Sequence, residues 1–489
     1  MKLQGPAFLF FGMLSFFCAK AQDVWHARTL PVQAFQEDFA ILDQFIRDHH
    51  GGTFQYVDEN HLDEVFNELH YADAPLAYRD AFLRVVNYID VLRDGHTWAM
   101  PDESISRQIL QAQRFFPLTL EVQDDAAYIA ENYSIDPKLT KGAKVLRING
   151  SPMIRILHEL SPYLTADGYS ESGKWGVLQG QFWWYYGLHY GFPDTHEIEV
   201  LTTEAELLSI CLPSVYMSDL VNDASELYWR NAKSASDTHT VHFRVQDNVG
   251  ILKVNSFAGQ SLRAFRHDFE AALELFADQK CEQMVIDVRG NSGGREGVEN
   301  LLLSCFEHSL EEKYDAVCIK RPRATAYRYI EHGTWRWMED LLYRTVEFRR
   351  DEEGNWQRRE RFERTFFQPE HRFIGPVMVL IDRHVFSGAS EFAALAADYG
   401  TNCTLIGEET CGGYAGHTSG YYYKLVLPNT GITVQVPRIW FDLNTQEPYL
   451  GGVKPDIALS LPHIAGGNDP LLEYVLNNGK ELAERAFTR

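Results

Sequence analysis

The chain has 489 residues, 45% of them hydrophobic and 23% charged, with a formal net charge of −23 at pH 7. That length exceeds one compact core and predicts two or three domains of ordinary globular composition. The charge argues against a nucleic-acid partner, which needs a basic footprint, and against docking on anionic lipid.

The first 21 residues read as a signal peptide. Lys2 gives a positive start, an apolar run follows from Ala7 to Phe17, and Ala19-Lys20-Ala21 supplies a small-x-small cleavage site before Gln22. The run is too short for a permanent membrane span, and no later stretch resembles one. The expectation is therefore an exported protein, periplasmic or extracellular. Export permits disulfides among Cys211, Cys281, Cys305, Cys318, Cys403 and Cys411. None of these forms a C-x-x-C pair, which argues against a zinc knuckle or a thioredoxin-type site.

Residues 22–112 predict an N-terminal helical domain. Phe35, Phe39, Leu42, Phe45 and Ile46 share one helical face, a second helix lies around Leu62–Leu69, and Phe82, Val85, Val86, Ile89 and Leu92 share the face of a third. The pattern stops at Asp94-Gly95-His96. Residues 113–240 predict a small β-rich module and connector. Leu118, Leu120 and Val122 alternate with polar residues, and an Asn149-Gly150 turn precedes a helix near Pro152. The stretch Gly142-Ala143-Lys144-Val145-Leu146-Arg147-Ile148-Asn149-Gly150 resembles the core of a PDZ domain.

Residues 241–465 read as an α/β domain. Strands at Val249–Val254, Met284–Val288 and Val377–Ile381 alternate with helical stretches at Phe265–Phe276, Leu301–Phe306 and Glu391–Ala397, the signature of a mixed or parallel sheet. An excursion at 321–372, rich in Arg, Glu, Tyr and Trp, has no sustained apolar period and reads as a solvated hairpin or a flap over a site. A C-terminal helix is expected within 466–489.

Two strand–turn–helix junctions carry the chemistry. One is Asp287-Val288-Arg289-Gly290-Asn291-Ser292-Gly293-Gly294, the other Phe386-Ser387-Gly388-Ala389-Ser390-Glu391. Sites in open α/β sheets form beyond the carboxyl ends of strands, where helix N-termini offer free N–H groups to a developing oxyanion. The first junction also contains G-x-S-x-G, so Ser292 rivals Ser387 as a nucleophile. Its glycines suit an oxyanion-hole loop better. For Ser387 the competing reading is an ordinary helix N-cap.

Together these segments resemble the tail-specific, or C-terminal processing, serine peptidases. Asp287–Gly294 looks like that family's Asp-x-Arg-x-Asn-x-Gly-Gly signature and Ser387–Ala394 like its nucleophile segment. Gly407-Glu408-Glu409-Thr410-Cys411-Gly412-Gly413 is similar to its Gly-Glu-x-Thr-x-Gly turn, and Leu427–Gly431 and Gly452–Asp456 fit its late strands. The resemblance covers nearly the whole chain after residue 21. It implies a mixed α/β fold with an N-terminal helical bundle, a PDZ-like module and a C-terminal peptidase domain of the ClpP/crotonase-like kind. It also implies a peptide or protein substrate and no cofactor.

One departure bears on mechanism. Relatives with a Ser-Lys pair carry a lysine where this chain has Gly413, and the nearest downstream lysine, Lys424, lies in an apparent strand. The tricorn-like branch instead uses a histidine from an N-terminal segment and a late glutamate. Asp94-Gly95-His96-Thr97 resembles that branch's Asp-Gly-His-Thr segment, which makes His96 the implied base, with His417 as competitor. Glu447 sits roughly where the branch places its glutamate; Asp442 and Asp94 are alternatives. The expected mechanism is an acyl-enzyme on Ser387 with His96 as general base and the amides of Gly388, Gly293 and Gly294 as the oxyanion hole. The alternative is a non-proteolytic binding protein on the same fold. No H-E-x-x-H pair, P-loop or dinucleotide fingerprint is present, so no metal is expected.

Overall fold

The computed structural model describes residues 25, 28–123, 125–220, 240–352, 354–362, 366–447, 449–459 and 469–486. The expected signal peptide at 1–21 lies outside the described residues, as do 221–239 of the expected connector. Among the described residues no helix is long and apolar enough to cross a membrane.

The N-terminal helices form where the apolar period placed them: α1 (Val32–His49), α2 (Glu59–His70) and α3 (Tyr78–Asp90). The Asp58 side chain accepts the His61 N–H and so caps α2. Phe35, Phe39, Leu42, Phe45 and Ile46 are buried against Leu62, Phe82 and Tyr88. Each such side chain contributes roughly 1.5–3 kcal/mol. After α3 the chain turns through Asp94–Thr97 and becomes a short strand, β1 (Trp98–Met100). This strand does not stay with the helices. It pairs antiparallel with Thr433–Gln435, in a strand near the end of the chain.

The middle module is an antiparallel sheet of β2 (Leu118–Gln123), β3 (Ala126–Asn132), β4 (Lys144–Ile148), β5 (Thr195–Leu201) and β6 (Leu207–Pro213), in the order β6-β5-β4-β3-β2. The Asn149-Gly150 turn is present, with φ of 50° and 78°, the left-handed pair that a tight hairpin needs. Helices α4 (Met153–Leu160), α5 (Glu171–Leu178) and α6 (Phe182–Tyr190) complete it. The segment between α4 and α5 leaves the module and runs along the third domain.

That domain holds two sheets. The first contains β7 (Val241–Gln246), β8 (Val249–Val254), β9 (Gln283–Asp287), β13 (Val377–Ile381), β14 (Cys403–Gly407) and β17 (Ile457–Ala458), in the order β7-β8-β9-β13-β14-β17. Every neighbouring pair is parallel except β7 with β8. Its strands alternate between two apolar layers. Val377, Val379 and Ile381 face α7 (Leu262–Asp278), α8 (Val298–Leu303) and α10 (Gly388–Tyr399). Met378 and Leu380 face the C-terminal helix α11 (Pro470–Ala486) through Leu471, Leu472 and Val475. Burial on both faces explains the near-continuous apolar runs.

The second sheet contains β10 (Tyr314–Ile319), β11 (Phe348–Arg350), β12 (Trp356–Arg358), β15 (Gly416–Val426) and β16 (Thr433–Leu443), in the order β11-β12-β10-β16-β15, with β1 added on β16. The excursion expected at 321–372 is thus stitched into the fold. Its hairpin β11–β12 extends this sheet, and its helix α9 (Gly333–Leu342) is pinned by Asp340. Asp340 is fully buried, 2.8 Å from Arg438 and 2.7 Å from the Tyr423 hydroxyl. The missing apolar period reflects anchoring by ion pairs rather than by an apolar stripe.

Candidate active site

The site lies beyond the carboxyl ends of β9 and β13, where both expected junctions meet. Ser387 is the residue before α10. Its backbone has φ 53° and ψ −132°, and its hydroxyl makes no capping bond to the helix. A non-glycine residue at positive φ is strained, and such strain concentrates where geometry serves chemistry. The N-cap reading thus fails, because Oγ is not spent on the helix.

The glycine-rich loop after β9 packs directly on Ser387. A Cβ added to Gly293, whose φ is +87°, would lie 2.9 Å from Ser387 Cβ and from the Gly388 nitrogen. Asn291 is fully buried and builds this loop: Nδ2 donates to Val254 O at 2.9 Å, and Oδ1 accepts the Gly293 N–H at 2.9 Å. This corrects one expectation. The Gly293 amide is committed to Asn291, so it is not a free oxyanion donor. Among the described residues the N–H groups of Gly388 and Gly294 have no such partner. Ser292 belongs to the loop and precedes no helix; α8 begins only at Val298.

His96 reaches the site because β1 is tied to β16. Gln435 Nε2 also donates to the His96 carbonyl at 2.8 Å. The imidazole stacks on Phe386, the residue before Ser387, with centroids 4.4 Å apart and planes at 29°. The ring keeps 15% of its side-chain surface exposed, and its Nδ1 has no hydrogen-bond partner. Burial lowers the His96 pKa to about 4; positive charge on His417 and His50 adds to the fall, and Asp94 opposes it. The imidazole is neutral at neutral pH.

Asp94, 4% exposed, organises the segment. Its carboxylate accepts from His50 Nε2 at 2.8 Å, from Thr418 Oγ1 at 2.6 Å and from the His96 N–H at 3.2 Å. Burial would raise its pKa, but the His50 hydrogen bond and the His50, His96 and Thr418 partners hold it below the ordinary carboxylate range. His96 Nδ1 is 4.0 Å from Asp94 Oδ1.

His417, the competitor for the base, lies behind His96, with centroids 5.9 Å apart. Both its nitrogens are engaged, Nε2 with Glu391 at 3.2 Å and Nδ1 with the Thr418 carbonyl at 3.1 Å. Two acceptors require two ring protons, so the structure supports a charged His417 with no free nitrogen. Its pKa is raised; burial would lower it, and the hydrogen bond and charge of Glu391 outweigh that. Lys313 sits 2.7 Å from both Glu391 and Glu299, all three buried. Sequence reasoning missed this chain of buried charges, because nothing in the local pattern separates Lys313 from a solvated lysine.

Glu447 is exposed. Its backbone carbonyl accepts the Tyr449 N–H, and the structure gives it no contact with His96. Asp442 lies in β16 and is likewise not among the partners of His96. Asp94 and Asp167 are the carboxylates beside the base. Lys424 points elsewhere, 3.4 Å from Glu331. Donor atoms of Asp94, His96 and Asp167 fall within 4.8 Å of one another, a spacing that suits a metal ion. The oxygens of both aspartates are already occupied by hydrogen-bond donors, which serves positioning of His96 rather than coordination.

Residues 248–459 match the family described as Peptidase family S41. None of the curated proteins matches the sequence. Among solved structures, mature CPAF is similar with a TM-score of 0.61 at 14% identity, covering 93% of this chain and 98% of that one. Mature CPAF complexed with lactacystin gives 0.60 at 14% identity, covering 94% and 99%. At that identity the likeness concerns the fold: a mixed α/β architecture shared along nearly the full length. Over residues 248–459 the chain thus resembles a family of serine peptidases, enzymes that hydrolyse peptide bonds.

Proposed function

We propose that the protein is an exported serine peptidase in which Ser387 is the nucleophile and His96 the general base. The strained Ser387 backbone, with a hydroxyl not spent on capping the helix and the His96 ring stacked on the preceding residue, Phe386, carries this reading. His96 takes the serine proton as Oγ attacks the peptide carbonyl. The Gly388 and Gly294 amides receive the oxyanion at the positive end of α10. His96 returns the proton to the leaving amine, leaving an acyl-enzyme. It then deprotonates the water that releases the acid. Asp94, rather than Glu447, supplies negative charge beside the imidazolium. Export rests on the Lys2 to Ala21 pattern, and the substrate class on the peptidase domain.

A fluorophosphonate probe together with a fluorogenic peptide tests this reading. The wild-type chain is expected to label, and Ser387→Ala to lose label and turnover while Ser292→Ala keeps both. His96→Ala is expected to slow both reactions by roughly 10²–10⁴. Labelling that persists in Ser387→Ala and vanishes in folded Ser292→Ala would reverse the assignment, and no labelling of the wild type would point to a binding protein.

A further inference from the structure

Asp167 belongs by sequence to the middle module, yet its side chain is spent on the active site. It is 1% exposed. Oδ1 accepts the Gly95 N–H at 2.8 Å and Oδ2 the Gly413 N–H at 3.1 Å, and its own N–H donates to the Cys411 carbonyl at 3.0 Å. The neighbouring Gly168 N–H donates to the Arg93 carbonyl at 2.7 Å. One carboxylate thereby joins the two segments that flank Ser387. Gly95 precedes His96. Gly413 follows Gly412, where an added Cβ would come within 3.0 Å of the Ser387 nitrogen. Space confirms the fit. A Cβ at Gly413 would lie 2.4 Å from the Gly416 carbonyl oxygen, 3.2 Å from the Tyr56 hydroxyl and 3.3 Å from Asp167 Cβ, so the Gly416 backbone and these two side chains fill the room that a longer side chain there would take.

We propose that Asp167 is a positioning residue for His96, fixing the base loop against the nucleophile turn and placing negative charge beside the imidazolium as it forms. This rests on the Ser387–His96 reading. Its place in the chain makes the middle module part of the catalytic frame rather than a spacer. The groups facing it are Asp94 and His96 on the base loop, His50 behind Asp94, Tyr56 after α1, His417 on β15 and the Cys411 thiol. Burial, with Asp94 adding to it, raises the Asp167 pKa to about 7, and His417 and the two backbone N–H donors oppose the rise. Asp167 thus ionises around neutral pH, where His96 is already neutral.

The test compares the full wild-type chain with Asp167→Asn and Asp167→Ala, measuring kcat and KM on a fluorogenic peptide across pH, melting temperature and fluorophosphonate labelling. Asparagine keeps one acceptor but presents its amide N–H₂ to a backbone N–H. Its kcat is expected to fall roughly tenfold to a hundredfold, a loss of the size that a small misplacement causes, with KM unchanged and the melting transition retained. The wild-type kcat is expected to rise with a limb near pH 7 that Asp167→Asn lacks. Should the variants fail to fold, the temperature dependence of the wild-type limb decides. A carboxyl ionises with little enthalpy and holds its position on warming, while an imidazole limb moves to lower pH. A limb that moves in this way, or a folded Asp167→Asn with wild-type kcat and pH profile, overturns the proposal. Absence of any label on the wild type would instead overturn the Ser387–His96 reading.

Discussion

The His96 ring lies 4.4 Å from the Phe386 ring, and Gly95 is what allows it. A Cβ at Gly95 would fall 2.5 Å from Phe386 Cε2. The His96 loop and the turn before Ser387 thus meet through a glycine and an aromatic plane.

The same close packing makes Gly293 sensitive. Its φ of +87° disfavours any L side chain, and an added Cβ would press on Ser387 Cβ, the Gly388 nitrogen and the Phe386 carbonyl at 2.9 Å each. Gly293→Ala is expected to leave the sheet intact and to lower kcat/KM by about a hundredfold through displacement of Ser387. Peptidase kinetics beside far-ultraviolet circular dichroism check this. Wild-type kinetics in the variant would mean that the loop does not brace the nucleophile.

Lys313 sits between the Glu299 and Glu391 carboxylates, 2.7 Å from each. Without it two buried acids face one another and Glu391 keeps His417 and the Tyr314 hydroxyl. Lys313→Met is expected to cost about 3–5 kcal/mol in chemical denaturation. Adding Glu299→Gln is expected to recover part of the loss, since one unpaired charge is removed. A Lys313→Met chain as stable as wild type would show the network to be energetically idle.

Buried neutral histidines fix the direction of acid sensitivity. Burial lowers His196 to about 4, and it is 1% exposed. The unfolded chain takes up this proton near pH 6.5 and the folded chain only near pH 4. The stabilisation is therefore complete above 6.5 and is lost as pH falls from 6.5 to 4. A gap of that size corresponds to up to about 3 kcal/mol. His49, lowered to about 3 by burial and neighbouring positive charge, acts with the same sign. His196→Gln, remote from Ser387, is expected to flatten the fall of melting temperature over this window without changing kcat. An unchanged slope would place the acid sensitivity elsewhere.

Much of the fold was readable locally. The helices α1 to α3 announce themselves by an apolar stripe, and β9 and β13 by apolar runs ending in glycine-rich or serine-glycine turns. Ser387 and the Asp287–Gly294 loop were legible for the same reason: a strand, a turn and a helix start lie within a few residues. His96 needed a family pattern, because its place beside Phe386 depends on β1 crossing to β16. Asp167 carried no signal at all, since Thr165-Ala166-Asp167-Gly168 has neither periodicity nor motif and its partners are set by tertiary contact. Glu447 was chosen by its rough position in the family pattern, and position in sequence does not say that a loop residue faces solvent. The Gly293 amide was misjudged because the side chain that captures its N–H, Asn291, belongs to the same motif.

The pairing of β1 with β16 also sets an order in time. A ribosome releases the segment bearing His96 early, but the strand that receives it, Thr433–Leu443, emerges only near the end of translation. Until then the loop bearing His96 lacks the strand that ties it to the second sheet. A chain cut before Thr433 thus cannot complete this pairing, and the segment after α3 takes its final place only when a late strand closes back on an early one.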